Sequence, residues 1–176
     1  MPRPIESLIS TTIKKNELSF PEFCMVLKQI AFNNNRRMVE LSKACGSSFP
    51  ILVNILNGKK KYPNLRTLNK IAQELGYQIS FSLKNSLKTI KHNELLFSEL
   101  CVVLKQIAFE SNRSDTELSE TCKTSFPILM GILNGNKLSP NLRTLNNIVQ
   151  GLNYKISFGL KESKIKTESN KGEEKV

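Results

Sequence analysis

Histidine occurs once in the 176 residues, at His92, and the four cysteines form no C-x-x-C pair. A zinc site needs a tighter cluster of such ligands than this chain offers. No nucleophile–base pair and no phosphate-cradling loop stands out either. The composition therefore argues against an enzyme, and neither a cofactor nor a metal is expected. Long apolar runs are missing too. None approaches the ~20 residues that span a bilayer, and the first ten residues lack the apolar stretch of a secretory signal. The expectation is a soluble, cytoplasmic protein with no membrane partner. Acid is scarce: 15 Asp and Glu stand against 26 Lys and Arg, a formal charge of +11 and a pI near 9.6. Such an excess favours a polyanionic partner, nucleic acid first.

What the chain does contain, it contains twice. Shifted by 77 positions, residues 12–86 fall on 89–163 without a gap, roughly two-thirds of them identical. VLKQIAF, SFPIL and PNLRTLN each recur at that spacing. A repeat of this length is a domain rather than a solenoid unit, which runs about 20–50 residues. Two copies in one chain amount to a dimer made covalent, suited to a partner with approximate two-fold symmetry. The cysteines are equivalent pairs, Cys24 with Cys101 and Cys45 with Cys122, each in an apolar helical stripe, so buried reduced thiols are expected. The copies differ most in charge. Residues 14–86 hold 9 Lys, 3 Arg and 4 Glu, about +8, whereas residues 91–163 hold 6 Lys, 2 Arg and 7 Asp or Glu, about +1.

Periodicity gives four helices per copy. In the first they cover residues 20–32, 39–45, 49–56 and 65–75. Pro21 and Pro50 sit in first turns, Asn64 is a cap, and Gly46, Gly58 and Gly76 close helices. Residues 77–83 and 154–160 then alternate apolar and polar, one half-buried strand per copy. A lone strand is unstable, so the two are expected to pair antiparallel with each other. The organisation reads as a leader (1–13, with a short helix over 5–13), a first domain (14–84), a linker (85–94), a second domain (95–161) and a disordered charged tail (162–176).

The order of a short second helix, a glycine turn and a third helix is a helix-turn-helix candidate. Glu40-Leu41-Ser42-Lys43-Ala44-Cys45-Gly46, Ser48, Ile55-Leu56-Asn57-Gly58-Lys59 and the run from Pro63 to Gly76 together resemble the lambda-repressor/Cro-like (XRE-type) helix-turn-helix family. The match covers residues 26–76 and again 103–153. The fold class implied is mainly α: two tandem four-helix helix-turn-helix domains, each followed by a short strand. The trailing strands resemble the Cro branch, where such strands pair across a dimer.

The resemblance implies that the second helix sits above the major groove and the third lies in it. Carried onto this chain, Ser47, Ser48, Thr124 and Ser125 offer hydroxyls and open amides to phosphate at helix starts. Lys59, Lys60 and Lys61 in the first copy and Lys137 in the second follow the third helix, near the backbone. Arg66 and Arg143 begin the fourth helix, and Arg36, Arg37 and Arg113 precede the second. Phe49, Phe126 and Asn54 lie on the third helices, and only Asn54 is a good base reader. Both phenylalanine rings are expected to point outward. The chain also departs from the family. The usual phosphate-holding glutamine is Met38 in one copy and Asp115 in the other, and the aspartate would repel a phosphate. Pro50, Val53, Pro127 and Met130 replace polar readers, Gly131 stands for Asn54, and Lys123 for Gly46.

The function so implied is a sequence-specific regulator of transcription that binds double-stranded DNA as a single-chain pseudo-dimer on an operator with two half-sites. Further self-association is compatible with it. The alternative is a protein-interaction module, antitoxin-like or a co-regulator, that docks a protein partner through the apolar Phe-Pro face.

Overall fold

The computed structural model describes residues 17–88, 90–137 and 139–163. The leader, its expected helix and most of the tail lie outside the described residues. The chain is mainly helical, with eight helices and one three-stranded antiparallel sheet among them. The first copy supplies α1 (Phe20–Asn33), α2 (Met38–Ala44), α3 (Phe49–Leu56), α4 (Leu65–Glu74) and β1 (Tyr77–Asn85). After β2 (Lys91–Leu95) the second supplies α5 (Phe97–Glu110), α6 (Asp115–Thr121), α7 (Phe126–Leu133), α8 (Leu142–Gly151) and β3 (Tyr154–Glu162).

Local chemistry fixes these boundaries. Ser19 caps α1 by donating its backbone N–H and its hydroxyl to Glu22 Oε2, both at 2.8 Å. Asn64 and Asn141 cap α4 and α8 by accepting the N–H of the residue two further on, at 2.8 Å. The turn between α2 and α3 requires a left-handed residue. Gly46 supplies it at φ 61°, and Lys123 takes the same conformation in the second copy at φ 49°.

The two copies meet about a pseudo-two-fold axis. β1 pairs antiparallel with β3 over nine residues, and Phe81 faces its own repeat equivalent, Phe158. At a second point on the axis Asn64 faces Asn141. There the Leu65 N–H donates to Pro140 O at 3.1 Å and the Leu142 N–H to Pro63 O at 3.2 Å. The Asn64 amide donates to Ser139 O and the Asn141 amide to Tyr62 O, at 3.3 and 3.1 Å. One hydrophobic cluster runs through both copies, from Phe23, Leu27 and Leu52 to Leu104, Leu129 and Ile148. Five rings lie at its centre. Phe158 packs on Phe20, Phe23 and Phe81 with centroids 5.4–5.7 Å apart, and Phe81 also packs on Phe97 at 6.2 Å.

Two sequence expectations need correction here. The linker 85–94 is not plain connection, because Lys91–Leu95 is a strand on the free edge of β1, giving the order β2-β1-β3. Its KHNEL sequence has no alternation to betray it. Backbone pairing forms it, with the register shifting opposite Ser82, where Glu94 takes φ 55°. The pairing also has a repeat equivalent: Leu95 faces Phe81 as Leu18 faces Phe158. Second, the middle of β1 is buried throughout rather than alternately, including Ser80 and Ser82. A central strand has neighbours on both edges, so its polar positions are sheltered too. β3 also runs through Glu162, one residue into the expected tail.

The four cysteines are free and buried. Burial pushes the Cys24 thiol up from 9.0 to about 12, and those of Cys45 and Cys101 up to about 11. Their neutral form is favoured in the folded chain. Stability should therefore hold below pH 9 and fall as pH climbs from 9 towards 11–12, where only the unfolded chain ionises freely. Iodoacetamide at pH 8 should label none of the four until denaturant is added. Rapid labelling of the native protein would contradict the burial.

Gly151 marks a close approach. A Cβ there would stand 2.5 Å from Thr121 O and 2.7 Å from Cys122 Cα, both backbone atoms. Gly151→Ala must push α6 away from α8 and should destabilise the protein by about 1–3 kcal/mol, measured by urea unfolding. Neutrality would show that α6 can shift freely.

Candidate nucleic-acid interface

In the first copy, Leu52, Ile55 and Leu56 turn α3 into the core. That stripe leaves Phe49, Pro50, Ile51 and Asn54 on the solvent side, with Phe49 45% and Ile51 40% exposed. Ser48 precedes the helix, exposed and with no side-chain capping bond, and Ser47 is half-buried. Past the helix the chain folds back: the N–H groups of Lys59 and Lys60 both donate to Asn54 O, at 2.9 and 3.1 Å. The lysine loop is thereby held beside the exposed end of α3. Lys59, Lys60 and Lys61 are exposed, and none enters an ion pair among the described residues.

The second copy repeats the backbone with different side chains. Lys137 N–H donates to Gly131 O at 2.8 Å, so its loop folds back in the same way. Ser125 is exposed with no capping bond and Thr124 is half-buried. The surface of α7 carries Pro127 and Ile128. Phe126 corrects the expectation of two outward rings, because it is half-buried and packed with Met130 against the core. Of these two rings, Phe49 is the exposed one, at 45%.

The arginines divide. Arg36 Nη2 donates to Glu74 O at 3.4 Å, and Arg113 Nη1 donates to Gly151 O at 2.7 Å and Thr121 Oγ1 at 3.3 Å. Each guanidinium thus closes the C-terminal end of its own copy's fourth helix, where cations are favoured. Both guanidinium groups are half-buried and so serve the scaffold, a use that sequence spacing does not reveal. Arg37, Arg66 and Arg143 are exposed. Arg143 lies over the Tyr62 ring of the other copy, its Cζ 4.8 Å from the centroid. This contact and the Asn64–Asn141 pairing bring the lysine loop to the pseudo-two-fold axis. Lys61, next in sequence to Tyr62, and Arg143 are therefore exposed cations at the junction of the two copies.

Sequence reasoning did not count two lysines at the turn between second and third helices, Lys70 and Lys123, among the site residues, although it noted Lys123 in place of Gly46. In the first copy Lys70 Nζ stands 3.6 Å from where a Cβ on Gly46 would lie. In the second copy Asn147 replaces Lys70, but Lys123 replaces Gly46. A cation therefore attends the turn in both, carried by different elements. The compensating exchange at positions 46/70 and 123/147 was the available signal. Ile51 and Ile128 were missed as well, although the 52/55/56 stripe implies their exposure.

Acid also shapes the second copy. Glu117 accepts the Ser114 N–H at 2.7 Å and its hydroxyl at 2.9 Å, and these bonds hold its carboxyl below the usual range. Asp115 opens α6 beside it, exposed. No group of potential metal ligands occurs among the described residues, and no helix among them is long and apolar enough to cross a membrane. No family model matches the chain, and no curated protein or solved structure does either.

Proposed function

We propose that the chain is a cytoplasmic, sequence-specific regulator of transcription that binds double-stranded DNA. In this reading each repeat is a lambda-repressor/Cro-like helix-turn-helix unit, and the two act as a single-chain pseudo-dimer. The observation that carries it is the two-fold relation of α3 and α7, set by the Asn64–Asn141 and Phe81–Phe158 pairings. Two equivalent surface helices related in this way match the pseudo-symmetry of duplex DNA. The exposed cations of the lysine loop, in no ion pair among the described residues, supply the sequence-independent part of affinity. The protein is a binder here, not a catalyst.

Base reading should rely on few hydrogen bonds. Asn54 is the polar side chain exposed on α3, and Phe49, Ile51 and Ile128 suit thymine methyls and DNA shape. A preferred site should be A·T-rich. Titration of a random-sequence duplex between 50 and 200 mM salt tests the electrostatic part. Affinity should fall linearly on a log–log plot, one chain per duplex, and binding indifferent to salt would defeat the reading. The exposed apolar side chains of α3 favour a second reading, in which that face docks a protein. It gains if DNase treatment leaves a purified complex intact.

A further inference from the structure

We propose that the cleft between the two repeats is a binding site for a small carboxylate with a compact apolar body, such as an arylacetate. The cleft encloses about 210 Å³. That is room for roughly seven waters at ~30 Å³ each and lies below the ~300 Å³ of drug-sized sites, so the occupant is small. Its walls are apolar: Phe20 from the first copy, and Leu145, Ile156 and Phe158 from the second. Polar residues also line it. Lys61 is exposed and in no ion pair among the described residues, and Tyr62 and the half-buried Asn146 line the cleft as well. Arg143 stacks on the ring of Tyr62, one of the lining residues, and is a second cation close to that side chain. No residue lining the cleft is acidic. Glu22 accepts both donors of Ser19, which also lines it.

A lining that combines apolar side chains with an exposed lysine, a phenol and an amide is complementary to a short amphipathic anion. The asymmetry of the repeats strengthens this assignment. At the equivalent positions across the axis, Leu138 and Ser139 replace Lys61 and Tyr62, so the second copy lacks the cation and the phenol. An occupant would touch both copies and would occupy Lys61. If Lys61 also contacts phosphate, which rests on the proposed function, ligand and DNA compete for it.

Phenylacetate and its neutral amide, phenylacetamide, are suitable probes, titrated into the full chain without DNA and followed by amide NMR. Phenylacetate should shift the signals of Tyr62, Leu145 and Phe158 saturably. The amide, and phenylacetate with Lys61→Met, should bind at least tenfold more weakly. Asn146→Phe puts a ring at a half-buried lining position and should abolish binding while the remaining spectrum stays folded. No saturable shift in the parent, or equal binding by Lys61→Met, overturns the site. With duplex present, phenylacetate should lower the salt slope by about 1. Binding to the free protein with no duplex bound at any salt would uphold the cleft and sink the DNA reading. Duplex binding with no phenylacetate shift would do the reverse.

Discussion

Phe81→Ala is expected to cost about 3–5 kcal/mol, the usual range for emptying a buried phenylalanine site. Phe81 is 1% exposed and faces Phe158 on the pseudo-two-fold axis. Truncation leaves a cavity against two further rings, Phe97 and Phe158. Phe158→Ala should cost a similar amount, because that ring touches Phe20, Phe23 and Phe81. The two losses should not add, since the rings share a contact at 5.7 Å. Both repeats should unfold together in urea, with one transition seen by all probes. A loss below about 1 kcal/mol, or two separate transitions, would show that the copies fold independently of this junction.

Replacing Lys59, Lys60 and Lys61 together by alanine should lower the salt slope of duplex binding by about 2–3, if each touches one phosphate. Lys137→Ala should lower it by about 1 or less. The motive is the charge divergence, about +8 against +1, with Asp115 and Glu117 at the start of α6. The lysines are exposed, so folding should be unaffected. Equal effects from the two loops would show that the asymmetry has no role in binding.

Much of the scaffold was legible because its signals are local. The stripe of Leu52, Ile55 and Leu56, Pro50 in the first turn and Gly58 at φ 68° bound α3 where the pattern placed it. α2 runs Met38–Ala44 rather than 39–45, a shift of one residue that helix ends routinely show. The alternation in residues 77–83 and 154–160 marks β1 and β3. What escaped depends on partners distant in sequence. β2 exists because β1 offers it an edge, and its own residues carry no strand pattern. Arg36 and Arg113 reach carbonyls 38 positions away, bonds that spacing alone does not reveal. Phe126 differs from Phe49 in burial although both open the same SFPIL segment. The Tyr62–Arg143 stack joins the copies and has no counterpart across the axis, where Ser139 stands.

Selection of bound duplexes from a random pool, at about 150 mM salt, tests the central claim most directly. The account expects enrichment of one A·T-rich site with two inverted half-sites about one helical turn apart, occupied by one chain. The half-site read by the first copy should be the better defined, since Asn54 has no counterpart on α7. A pool that stays random, or an enriched site with no inverted relation between its halves, would contradict it.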